Sequence, residues 1–390
     1  MKICIIGPSK YFFSGISAHT IFLANTLSRN QHRISVILLR KLVPRFLYPG
    51  KAHVNKGNYL MNLDDGIDVY DGMDWNSPLS WFRAYRFLKR HMPDALIMLW
   101  WTSSVAHTQL FLALANRLRI GAKLILEMHE TVDPLEESIL PIRLYSRIMG
   151  KLLMRNADAF TVHSTSVRSQ IAQIYNIKAD RISVKPFGIY DGYQRDCDKE
   201  LTKAKLGIEE KYVILNFGSI RKYKGVSYLV EAFSALPESI AQDSRLVIAG
   251  EDWGEAAELE KAIQSSPFSH KITLNSHFIP DETVPEYFSA AEVVALPYLR
   301  SSGSGVANIA MTYGKPIITS ELETMKEILG GYQGAIFTPI GDSAAIKEKL
   351  IQVYDKLKTG KLITFDPPPD TWTKVAKQYE GIIKKLKDKT

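Results

Sequence analysis

Two cysteines in 390 residues, Cys4 inside an apolar run and Cys197 in a polar stretch, supply neither a disulfide framework nor a thiolate metal cluster. No uninterrupted apolar segment reaches the roughly eighteen residues that a membrane-spanning helix needs. The Gly-x-Gly-x-x-Gly spacing is missing after the first apolar run, which argues against NAD. His-Glu-x-x-His is missing too, so that zinc motif is excluded and no metal is expected. The opening stretch, Met1-Lys-Ile-Cys-Ile-Ile-Gly-Pro8, enters a strand at once and does not read as a secretory leader. These absences lead to the expectation of a cytoplasmic protein without a resident cofactor.

What is present is a long chain with an uneven charge. At this length one small core is not enough, and two domains are expected. Residues 1–187 carry 24 Lys and Arg against 13 Asp and Glu, while the remainder carries 25 against 28. The net charge of +8 is therefore the sum of a basic half and a slightly acidic one. The basic half is expected to meet an anionic partner or surface.

Strand and helix patterns alternate twice over. Apolar runs at Lys2–Ile6, Arg33–Leu39, Ala95–Trp100, Lys123–Met128, Ala159–His163 and Arg181–Lys185 read as strands separated by amphipathic helices. Residues 41–76 read as an irregular surface excursion, and the polar stretch 188–210 as a hinge. The pattern then restarts with strands at Tyr212–Phe217, Arg245–Ala249, Ile272–Asn275, Val293–Leu296 and Pro316–Thr319, and a last helix begins near Trp372. The fold class expected is α/β, with two Rossmann-like, doubly wound domains facing across a cleft. The first takes residues 1–187 and receives the final helix, 372–390, and the second takes residues 188–371.

In such sheets ligands bind at the carboxyl ends of the strands, and five loops there have an unusual make-up. Gly7 to Gly15 is rich in small residues, which suits either a close backbone approach or a plain turn. Glu127-Met-His129-Glu130 puts a histidine at a strand end, where it can orient a substrate or simply bond a neighbouring carbonyl. Phe217 to Gly225 concentrates Arg221, Lys222 and Lys224, either as a diphosphate clamp or as a solvated basic loop. Ala249-Gly-Glu-Asp-Trp253 is the fourth. The fifth, Pro297 to Pro316, runs from a strand through Ser301–Gly305 into a short helix, whose first N–H groups suit a phosphate.

The order and spacing of these loops resemble glycosyltransferase family 4, retaining sugar-nucleotide enzymes of the GT-B fold, over almost the whole chain. Gly15-Ile-Ser-Ala-His19 resembles the family's N-terminal glycine loop, and His129 falls where its active-site histidine sits. Gly218 to Gly225 resembles the family's phosphate clamp, Asn275 to Leu296 its nucleobase segment, and Trp372 the tryptophan that starts the helix crossing back to the first domain. The resemblance implies that Arg221 and Lys224 offset charge on a leaving diphosphate. Gly15, Gly218, Ser219 and Glu251 would contact the donor, and Phe278 and Ile279 would line the base. Ser302, Gly303, Ser304, Gly305 and Val306 would hold phosphate or sugar hydroxyls. His129 would hold a hydroxyl near the anomeric carbon. A UDP-, GDP- or ADP-sugar donor, a glycan or lipid-linked acceptor and a metal-independent, retaining transfer follow as expectations.

The chain also departs from that family. Two glutamates eight positions apart are common there, and Ser301 and Ile309 stand in their places. Ser219 replaces an expected arginine. The form resembles a branch with Ser-Gly-Val in place of the two-glutamate motif. A catalytically silent sugar-nucleotide or glycan-binding partner is the rival expectation, and a GT-B epimerase is another. Asp196-Cys-Asp198 has the form of a metal-binding D-x-D but lies in the hinge. Cations recur at Arg143, Arg147, Lys151 and Arg155 and along Trp81 to Arg90, interleaved with apolar residues. Such helices suit either a solvated cationic face or an anionic membrane surface. Nucleic acid is not expected, since no recognised binding module is present.

Overall fold

A computed structural model describes residues 1–9, 15–41, 62–129, 140–185, 188–189, 197–361, 364–367 and 372–388. Among these residues, thirteen strands form two parallel sheets. The first sheet holds β1 (Lys2–Pro8), β2 (Arg33–Lys41), β3 (Asp68–Asp74), β4 (Ala95–Trp100), β5 (Lys123–Met128), β6 (Ala159–Val162) and β7 (Ile182–Val184). Its order is β3-β2-β1-β4-β5-β6-β7. The second sheet holds β8 (Tyr212–Phe217), β9 (Ser244–Ala249), β10 (Ile272–Asn275), β11 (Val293–Leu296), β12 (Ile317–Ser320) and β13 (Ala335–Thr338), in the order β10-β9-β8-β11-β12-β13.

Strands covered on both faces need apolar residues at every position. In β1, Ile3 and Ile5 face one core and Cys4 and Ile6 the other, and all four are fully buried. On one face of the first sheet lies α1 (Gly15–Arg29). On the other lie α2 (Pro78–His91), α3 (Ala106–Arg119), α4 (Leu140–Asn156) and α5 (Thr165–Tyr175). The second sheet is flanked by α6 (Lys199–Lys205), α7 (Val226–Ser234), α8 (Glu238–Gln242), α9 (Ala256–Gln264), α10 (Val284–Ala290), α11 (Gly305–Thr312), α12 (Glu323–Ile328) and α13 (Ser343–Lys358). The last helix, α14 (Trp372–Lys387), returns to the first sheet: Trp372 stacks on Phe22 of α1, and Lys387 reaches Asp94 at 2.6 Å.

Three sequence expectations need correction. The stretch 41–76 contains β3, an edge strand whose sequence, DVYDGMD, lacks an apolar run because only one side pairs and much of it is exposed. The polar stretch 188–210 contains α6, whose cap is Asp198, accepting the Leu201 N–H at 2.8 Å. That capping role accounts for one aspartate of the D-x-D, and Asp196 lies outside the described residues. Strand β13 was not anticipated at all.

Each sheet has one switch point, where the strand order reverses direction: between β1 and β4 in the first sheet and between β8 and β11 in the second. The carboxyl edges of the two sheets meet. Just beyond β6, the N–H groups of Thr165 and Ser166 donate to the carboxylate of Glu327 in α12, beyond β12, the latter at 3.0 Å. The Ser166 and Thr324 hydroxyls lie 3.3 Å apart in the same contact. A carboxylate at a helix N-terminus meets unpaired donors and the positive end of the helix dipole. These bonds hold the Glu327 carboxyl below its ordinary range against the opposing effect of burial.

Candidate active site

The two loops at the second sheet's switch point are Phe217–Gly225, after β8, and Pro297–Gly305, after β11. They are packed backbone to backbone. A Cβ on Gly225 would stand 2.1 Å from the Pro297 carbonyl oxygen, and Gly225 also takes a left-handed φ of +64°. A Cβ on Gly250 would stand 2.0 Å from the carbonyl oxygen of Gly218, so the turn after β9 closes equally tightly on the turn after β8. Side chains at these positions would force the loops apart. The Leu299 N–H donates to the Tyr223 carbonyl at 2.8 Å and ties the loops together.

Arg221 and Lys224 are held there by aromatic rings. The Arg221 guanidinium lies 3.6 Å from the centre of the Trp253 ring, and the Lys224 ammonium 4.1 Å from that of Tyr298. Lys224 also donates to the Tyr298 hydroxyl at 2.9 Å, and that hydroxyl lies 3.3 Å from the Ser304 Oγ at the start of α11. A short polar chain therefore connects the basic loop to the helix N-terminus. Neither cation forms an ion pair among the described residues. Ring faces orient a cation without cancelling its charge, so this corner keeps two positive charges beside a helix N-terminus.

The other anticipated donor residues divide into two groups. Gly218, Ser219, Glu251, Phe278, Ser302, Gly303, Gly305 and Val306 are half-buried on the loops at the carboxyl edge. Ser304 and Ile279 are buried. The Ser304 hydroxyl caps α11 by accepting the Ala307 N–H at 3.1 Å, and Ile279 packs into the core. Asp252, between Glu251 and Trp253, accepts the N–H groups of Gly254, Glu255 and Ala256 at 3.0, 2.8 and 2.8 Å, which starts α9. At the two glutamate-replacing positions, the Ser301 hydroxyl turns back to the Gly303 carbonyl and Ile309 is buried in the core. Gly15 begins α1, while residues 10–14 and Glu130 lie outside the described residues.

In the first domain His129 stands at the end of β5, one strand from the switch point, and 5% of its surface is exposed. It belongs to a cluster that its own loop did not reveal. Glu127 is fully buried, with its Oε1 2.8 Å from His19, 3.4 Å from His163 and 3.7 Å from His129. Lys185 donates to the same oxygen, and Tyr379 of α14 donates to the other. Burial depresses the basicity of all three histidines, His129 to about 3, so they are neutral at ordinary pH. Burial opposes ionisation of Glu127, but His19 and Lys185 outweigh it and hold the carboxyl well below its ordinary range. His19, Glu127 and His129 have ligand atoms within 4.8 Å of one another, a grouping of metal-ligating types. The Lys185 ammonium already neutralises that carboxylate, and a dication there would meet it head on.

The family model described as "Glycosyltransferase Family 4" matches residues 13–191, and that described as "Glycosyl transferases group 1" matches residues 198–361. The chain belongs to glycosyltransferase family 4. The alpha-D-kanosaminyltransferase of Streptomyces kanamyceticus is 24% identical over 232 residues, 56% of this chain and 58% of that protein. The D-inositol 3-phosphate glycosyltransferase of Corynebacterium diphtheriae is 24% identical over 250 residues, 60% of this chain and 58% of that protein. The chain thus spans a little over half the length of these curated relatives. The structure of Anabaena HepE in complex with UDP and glucose superposes with a TM-score of 0.68 at 16% identity, covering 100% of this chain and 99% of the other. At that identity the likeness establishes the shared GT-B fold.

Proposed function

We propose that this family 4 chain transfers a sugar from a nucleoside-diphosphate donor to a glycan or lipid-linked acceptor. The observation that carries the reading is the uncancelled pair Arg221 and Lys224 beside the N-terminus of α11, at the switch point of the second sheet. Charge builds on the diphosphate as the sugar leaves, and fixed cations and N–H groups stabilise that charge most when it is fully formed. The half-buried Gly303, Gly305 and Val306 supply backbone, and Ser302 a hydroxyl, toward phosphate or sugar. Glu251 and Ser219 flank the donor on the β9 and β8 loops, Gly15 brings the first domain's helix toward it, and Phe278 walls the base, backed from the core by Ile279. The solved HepE complex with UDP and glucose supports a UDP-sugar among the UDP, GDP and ADP alternatives.

His129, neutral to about pH 3, is suited to hydrogen-bonding a sugar hydroxyl and not to delivering a proton at neutral pH. The Glu127 cluster fixes its strand end from behind. Retention without a metal is part of the same proposal, with charge stabilisation assigned to Arg221, Lys224 and the helix. Closure across the Thr165–Glu327 contact would keep water from competing as acceptor.

The rival reading, a silent binder, rests on Ser301 and Ile309 standing where acids are common. Donor turnover over a panel of UDP-, GDP- and ADP-sugars, in wild type and Lys224→Ala, decides between them. Turnover in wild type that collapses in the variant supports the enzyme. Binding with no turnover in either supports the silent partner.

A further inference from the structure

The four helices on one face of the first domain, α2 to α5, contain no acidic residue, and three of them, α2, α3 and α4, together carry Arg83, Arg86, Lys89, Arg90, Arg117, Arg119, Arg143, Arg147, Lys151 and Arg155. They lie side by side. The His107 ring of α3 contacts the Tyr145 hydroxyl of α4, Arg117 bonds Asn156 at 3.3 Å, and Trp81 of α2 packs on Phe111 of α3.

Their outer surface is also apolar in a way that a merely solvated face is not. Along α4, Leu140, Leu144, Ile148 and Leu152 are 73%, 61%, 48% and 38% exposed, one per turn. Arg147, Lys151 and Arg155 alternate with them, all exposed and without an ion pair among the described residues. Leu114 and Leu118 are exposed on neighbouring α3, which also carries Arg117 and Arg119, and Leu79 and Phe82 are exposed on α2. Monomeric proteins seldom leave large apolar patches uncovered, and eight large apolar side chains stand exposed on these three adjoining helices.

We propose that this face docks on an anionic lipid bilayer, with the leucines and Phe82 entering the headgroup boundary and the cations pairing with lipid phosphates. Both halves of the surface fit that occupant. Exposed leucines have no use for a soluble polyanion, which would need the cations alone, and a second copy of this chain would bring the same positive charge and be repelled. Long Arg and Lys stems cover apolar surface while their charged ends reach phosphate. Leu140 begins α4 on the side of the strand carboxyl ends, so the docked face borders the edge where the two domains meet. The inference does not depend on the chemistry in the cleft.

The test is co-flotation of the full chain with vesicles of phosphatidylcholine alone or mixed with phosphatidylglycerol. Two variants separate the contributions, Leu144→Gln with Ile148→Gln, and Arg147→Gln with Lys151→Gln and Arg155→Gln. All five positions are exposed, and an unchanged melting temperature checks each fold. The wild type is expected to float with the mixed vesicles and not with the neutral ones. Each lost cation weakens binding by roughly five-fold, so the triple variant loses on the order of a hundred-fold. The leucine variant loses about ten-fold or more. Failure of the wild type to float with mixed vesicles overturns the proposal. So does full binding by the leucine variant together with competition by a soluble polyanion, which would mark the face as a polyanion site.

Discussion

The two clusters at the facing sheet edges treat charge in opposite ways. In the first domain Glu127 collects Lys185, Tyr379 and three neutral histidines in a place almost closed to water, and every charge has its partner inside the protein. In the second domain Arg221 and Lys224 rest on Trp253 and Tyr298, which position them and leave their charge uncancelled. A buried carboxylate paired with its own lysine helps hold a fold together, and cations left uncancelled await an anionic ligand. A depressed histidine basicity here records burial beside Glu127 and Lys185, whereas two cations on aromatic rings mark the binding corner.

The comparison breaks most readily at the two lysines. Lys185→Met leaves Glu127 buried without its cation and is expected to cost about 3–5 kcal/mol of unfolding free energy, read from denaturant titration. Lys224→Ala is expected to lower kcat by on the order of a hundred- to a thousand-fold while stability moves by less than about 1 kcal/mol. Equal stability losses in the two variants would erase the distinction.

Acid sharpens the same contrast at smaller magnitude. His129 takes its proton near 6.5 when unfolded and at about 3 when folded, so between those values the unfolded chain holds more protons. Stability attributable to it is complete above the unfolded value and falls as the pH drops below it. Between about pH 7.5 and about pH 5.5 the loss is about 1.4 kcal/mol from this residue alone. Denaturation midpoints at the two pH values measure it, and replacing His129 with Gln should flatten the difference. The depressed basicity of His19 and His163 acts in the same direction.

The smallest effect concerns the contact between the two edges. Glu327→Gln keeps a hydrogen-bonding oxygen but removes the charge at the start of α5, with an expected cost of about 0.3–1 kcal/mol. If the contact helps hold the domains together, the variant will also show faster amide exchange at Thr165 and Ser166.

How far the sequence could be read depends on where the signal lay. Buried strands such as Ala95–Trp100 are legible because double-sided burial demands an uninterrupted apolar run. Edge strand β3 is not, because only its last two residues are buried and its aspartates read as loop. The basic loop and the small-residue turn before α11 were legible from composition at strand ends, and topology then put both at one switch point. Ser304 read as a ligand because a hydroxyl at a helix start suits a phosphate and a helix cap alike; the bond to Ala307 assigns it to the cap. The Glu127 cluster was beyond reach, since His19, Glu127, His163, Lys185 and Tyr379 come from five separate parts of the chain. Its only local trace is a polar residue at the carboxyl end of each of three neighbouring strands.

The central claim is that the corner holding Arg221 and Lys224 binds a nucleoside diphosphate. Calorimetric titration of wild type and Lys224→Ala with UDP, GDP and ADP tests it directly, each protein checked for an unchanged melting temperature. The account predicts saturable binding of at least one of the three to wild type and a loss of at least about ten-fold in affinity in the variant. Equal binding by both proteins, or no binding of any of the three to wild type, would contradict it.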